Sequence, residues 1–94
     1  MASTTALRTI PTSFLSNLQG AALSQLETAV NIAAERALAA APGRARSIWV
    51  GKRAAVEAEI ERRGYVAFKL DAQATDWLVV RYEEYADIRR AQWS

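Results

Sequence analysis

Cysteine and histidine are both missing from the 94-residue chain, and the two absences remove most of the chemistry open to a small protein. Without cysteine there is no disulfide framework, no thiolate nucleophile and no sulfur-liganded zinc site. Without histidine there is no imidazole base, no Ser-His-Asp arrangement and no imidazole metal ligand. Serine and threonine are left without a positioned base, Lys52 and Lys69 are the remaining amine candidates, and no enzyme is expected. Glycine is scarce, at positions 20, 43, 51 and 64, and never in the spacing of a phosphate cradle. Gly51-Lys52 lacks both the upstream glycine and the Ser or Thr of a P-loop, so no nucleotide, other cofactor or metal is expected. Long apolar runs are missing too: none approaches the roughly 20 residues of a membrane span. Residues 1–11 lack a charged start followed by an unbroken apolar stretch, and a secretory leader is therefore not expected.

What is present is an ordinary globular composition, 51% hydrophobic and 23% charged, enough for one folded domain. A domain this small buries only about 60% of its unfolded surface, which leaves room for partners or self-association to add stability. Residues 1–11 carry no periodicity and end in Pro11, which biases Ile10 to extended backbone; they read as an extended or flexible arm. Residues 12–94 read as the single domain. The net charge of +2 is concentrated in the middle, where residues 44–63 hold six basic side chains against three acidic ones.

The first helix has competing starts, at Thr12 or Ser13 after the proline and at the two capping-box patterns Ser16-Asn-Leu-Gln19 and Ser24-Gln-Leu-Glu27. Leu23, Leu26, Val30, Ala33 and Ala37 recur at helical spacing as one apolar stripe, and Pro42-Gly43 ends the helix near Ala41. Residues 44–50 are ambiguous. The Ile48-Trp49-Val50 cluster before Gly51 favours a strand, whereas a helical reading makes the chain mainly α with one β-hairpin. A second helix is expected from about Lys52 to Arg63, with Val56 and Ile60 as anchors, Arg62 and Arg63 at its carbonyl end and Gly64 as the cap. Residues 65–70 alternate and predict a strand with Val66, Phe68 and Leu70 facing the core. Residues 77–82 predict its hairpin partner, with Leu78, Val80 and Tyr82 inward and Trp77 outward. Residues 83–94 predict a short terminal helix. The sum is an α+β domain in which a long N-terminal helix and a second helix cover a two- or three-stranded sheet.

The candidate contact residues follow from these elements. An alanine-rich helix face lets another backbone approach closely, which makes Ala33 and Ala37 candidates for a helix contact between subunits. Trp77, Tyr85 and Trp93 are candidate aromatic contacts. Arg44, Arg46, Lys52 and Arg53 form a basic set around Trp49 that could grip phosphates or an acidic partner, although the net excess is small for a nucleic-acid domain. Glu57, Glu59 and Glu61 cannot converge from one helix. Glu59 with Arg63 and Arg53 with Glu57 read as solvated i, i+4 ion pairs.

The stretch 26–82 resembles a loose class of short tailed-bacteriophage proteins, in which an alanine-rich helix, a short strand, a helix closing on Arg-Arg-Gly-Tyr and a hairpin follow in order. Ala33-Ala34, the segment 47–50, the segment 56–60, Gly64-Tyr65-Val66 and the segment 77–80 carry the likeness; residues 83–94 and the N-terminal arm depart from it. The resemblance implies a phage or prophage origin and a non-enzymatic role as a virion structural protein, multi-copy and located in the virion or the host cytoplasm. Its partners would be copies of itself and other virion proteins. The alternatives are a small inhibitor binding a host protein such as a defence component, and a nucleic-acid-binding accessory protein. No membrane association is expected.

Overall fold

The computed structural model describes residues 10, 12–71 and 73–93. Their order is helix α1 (Thr12–Ser16), a 3-10 turn (Leu18–Gly20), helix α2 (Leu23–Ala39), helix α3 (Arg44–Arg62), strands β1 (Tyr65–Phe68) and β2 (Leu78–Arg81), and helix α4 (Tyr82–Trp93). The architecture is α+β, with two long helices and a terminal helix built around one small antiparallel hairpin.

The long helix starts at Leu23. Ser24 lies inside it, and the reciprocal half of the cap comes from Gln25, whose side-chain oxygen accepts the Ala22 N–H at 2.8 Å. At its other end Ala40 is already extended at ψ 149°, two residues before Pro42. Gly43 then turns the chain at φ 107°, a conformation glycine adopts without strain.

Residues 44–50 are helical, which corrects the strand expected there and limits the sheet to two strands. The reason lies outside the segment. Arg46 reaches back to α2, where Nε donates to the Ala37 carbonyl at 3.0 Å and Nη2 to that of Ala40 at 2.9 Å, satisfying carbonyls that the end of a helix leaves open. Ser47 N–H closes the first turn on Gly43 O, and Trp49 packs inward on the core. Local β preference is weak beside such contacts.

α2 and α3 form an antiparallel pair whose interior holds Leu26, Val30, Val56 and Ile60, all fully buried, together with Ala29 and Ala33. Of the N-terminal arm only Ile10 is described, and it is buried in the same cluster. The strands pair Val66 with Val80 and Phe68 with Leu78. Their faces are the reverse of the expected ones: Tyr65, Ala67, Trp77 and Val79 meet the α2–α3 core, while Phe68 is buried on the opposite side beneath Tyr85 of α4, ring edge to face at 5.0 Å. Both faces of the hairpin are covered, so alternation alone marks no inner side. The result is three layers: the α2–α3 pair, the hairpin and α4.

Candidate functional site

The candidate residues separate into those the fold consumes and those it leaves outside. Ala33 and Ala37 are buried within the chain; they do let helices approach, but inside one molecule, which corrects the expectation of a subunit contact. Trp77 is half-buried. The Asn31 amide brackets its backbone, accepting its N–H at 2.6 Å and donating to its carbonyl at 3.0 Å, and the Arg53 guanidinium lies 5.5 Å above its ring. Tyr85 is half-buried between Phe68, Tyr82 and Arg89. Trp93 alone among the aromatic candidates stands in solvent, 87% exposed.

The basic set is dispersed in the same way. Arg46 caps α2 as described. Lys52 sits 4.3 Å over the Trp49 ring, with Arg36 at 5.7 Å, an attraction between a cation and the electron-rich aromatic face. Arg53 covers Trp77 and lies 3.9 Å from Glu57. Burial raises the Glu57 pKa, partly offset by Arg53. Arg44 is exposed at the start of α3. The pattern continues elsewhere, with Arg81 over Tyr65 and Arg89 over Phe68. Arg36, Lys52, Arg53, Arg81 and Arg89 thus lie along aromatic rings, with apolar stems of the kind that cover neighbouring apolar surface.

Two polar arrangements escape sequence reasoning. The first centres on Glu59, which is 7% exposed, where a solvated surface pair was expected. Arg62 donates Nε to Oε1 at 3.0 Å and Nη2 to Oε2 at 2.6 Å, and Arg63 Nε donates to Oε2 at 2.8 Å. These bonds hold the Glu59 pKa down at about 2. Arg63 then reaches 45 residues back, donating Nη2 to the carbonyls of Leu18 at 2.9 Å and Gln19 at 3.2 Å. The cluster pins the α1 and 3-10 segment to the end of α3. The i+3 and i+4 spacing of the two arginines is visible in sequence; the burial is not.

The second arrangement joins α2 to β2. Asn31 holds Trp77, and one turn earlier Glu27 Oε2 accepts the Val79 N–H at 3.2 Å. Four helical residues rise about 6 Å and two strand residues about 6.8 Å, so the two periodicities coincide over this length.

Large apolar side chains remain outside. Leu38 is 77% exposed, Ile48 49% and Val50 38% near the α2–α3 connection, and Tyr82 is 60% exposed on α4. An open groove at the start of β1 is lined by Glu61, Gly64, Tyr65, Val66, Tyr82 and Tyr85. Among the described residues no helix is long and apolar enough to cross a membrane.

Comparison with protein families, with curated proteins and with solved structures found no match to the chain. Function therefore has to be read from the surface itself.

Proposed function

We propose that the chain is a non-enzymatic structural protein of the tailed-phage type, acting in several copies through contacts with itself and with other particle proteins. The observation that carries this reading is the set of large apolar side chains left exposed: Leu38, Ile48 and Val50 on the segments flanking the α2–α3 connection, and Tyr82 and Trp93 on α4. Exposed aromatics such as Tyr82 and Trp93 are enriched at protein interfaces. The engagement of Arg46, Lys52 and Arg53 inside the molecule favours protein over nucleic acid as partner, because phosphate binding needs cations free to face the ligand.

Quantitative mass spectrometry of particles purified from cultures that produce the protein tests the proposal. A fixed number of copies per particle that survives a salt wash is expected. Abundance in cells with absence from particles would overturn it and direct attention to a host protein as the partner.

A further inference from the structure

Two short pieces of helix precede the long pair, five residues in α1 and three in the 3-10 turn, and neither is long enough to hold its shape alone in water. Their bonds are local: Asn17 N–H donates to the Phe14 carbonyl, Gly20 N–H to that of Asn17 and Ala21 N–H to that of Leu18, each at 3.1 Å. Their order comes from what they lie on. Ile10 is buried, and Phe14, Leu15 and Leu18 pack half-buried on the cluster that holds Leu26, Val30, Val56 and Ile60. Ala21 and Ala22 are both extended, at ψ 145° and 153°, so a two-residue link separates this segment from α2. Arg63, just beyond the end of α3, adds a polar grip through the carbonyls of Leu18 and Gln19, while Glu59 holds its Nε.

We propose that Ile10 and residues 12–20 form a strap that lifts as one unit about Ala21-Ala22, with Arg63 as its clasp, and that lifting uncovers an apolar strip on the α2–α3 pair. Lifting breaks the two charge-assisted bonds from Arg63 and frees the apolar side chains of the strap. It leaves the rest of the molecule whole. Leu26 and Val30 of α2 stay packed on Val56 and Ile60 of α3, the hairpin keeps its register, and Glu59 keeps Arg62. A segment tied down at so few places opens below the free energy of global unfolding. Arg63 is a positioning residue in this device: it holds the strap by the backbone, from a guanidinium that Glu59 aims. The strip beneath is a contact surface that the closed molecule conceals, and the inference concerns this chain alone, whatever becomes of the particle reading above.

Because the chain has no cysteine, a single introduced thiol reports on a single place. Ile10→Cys and Val56→Cys put it at two buried positions, one on the strap and one on α3, and the rate at which an aromatic disulfide reagent modifies each in the folded full chain measures how often it is exposed. The Ile10→Cys thiol is expected to react at least about 100-fold faster than the Val56→Cys thiol, and adding Arg63→Gln should raise the Ile10→Cys rate about tenfold. Equal rates at the two positions overturn the strap. A fast Ile10→Cys thiol indifferent to Arg63→Gln overturns the unit and its clasp, because fraying of the first residues alone does not feel a bond made at Leu18. Should Arg63→Gln fail to fold, hydrogen exchange of the unaltered chain decides: the Asn17, Gly20 and Ala21 amides should exchange together, ahead of those of α2 and α3 and with a weak dependence on urea. Exchange in step with the two helices overturns the proposal.

Discussion

The two halves of α3 are continuous as backbone and unlike in everything else. From Val56 onward the helix buries Val56, Glu59 and Ile60 and ends in the Glu59 cluster. From Arg44 to Gly51 every residue except Trp49 is exposed, and what holds this half is Arg46 on the carbonyls of α2 and Trp49 beneath two cations. One half is a helix because its own pattern buries an apolar side. The other is a helix because its neighbour offers a terminus to bind.

The contrast is sharpest for isoleucine. Ile60→Ala removes a fully buried side chain and should lower stability by roughly 2–5 kcal/mol, a large fraction of what a domain of this size has; Ile48→Ala should stay within about 0.5 kcal/mol. Urea denaturation followed by circular dichroism measures both, and equal losses would erase the distinction between the halves.

Acid should act on the C-terminal half first. The Glu59 pKa is lowered from 4.5 to about 2 in the folded chain, so its contribution is present above the unfolded value and disappears as pH falls from 4.5 toward 2. The raised pKa of Glu57 works in the opposite sense. Urea midpoints taken across that interval should fall with pH, and Glu59→Gln should flatten the profile while loosening the Leu18 and Gln19 carbonyl contacts. A mutant profile as steep as the wild type would remove Glu59 as the cause.

In the N-terminal half, Arg46→Ala should cost about 1–2 kcal/mol through two lost charge-assisted bonds, with the loss appearing in hydrogen exchange near Ala40 and Ser47. The smallest change carries the opposite sign. Gly51 sits mid-helix with open space where a Cβ would stand, so Gly51→Ala should add somewhat under 1 kcal/mol. Loss of stability there would mean that the exposed half carries strain.

Sequence reading finds the elements whose evidence is local. Pro42-Gly43 ends α2, Arg62 and Arg63 before Gly64 mark the end of α3, and alternation over residues 65–70 and 77–82 marks the hairpin. It misses what is settled at a distance. The Ile48-Trp49-Val50 cluster says strand, and only the carbonyls of residues 37 and 40, unknown to that window, turn the segment into helix. The hairpin faces are inverted because α4 takes the Phe68 side, which alternation marks as the core side, while the α2–α3 pair covers the side that alternation would leave wet. For the contact residues, exposure is the missing quantity: Trp77 and Trp93 look alike in sequence, yet Arg53 and Asn31 enclose one of them and nothing encloses the other.

The bonds from Asn31 and Glu27 to the edge of β2 also govern the order in which the molecule can be made. Asn31 and Trp77 stand 46 residues apart, so the segment between them must close into a loop, at an entropic cost, before that edge is covered. Until α2 docks, β2 presents bare N–H groups to any other unfinished chain. The transient that precedes docking is thus the stage most exposed to aggregation, and Asn31 and Glu27, two polar residues on a helix, are what end it.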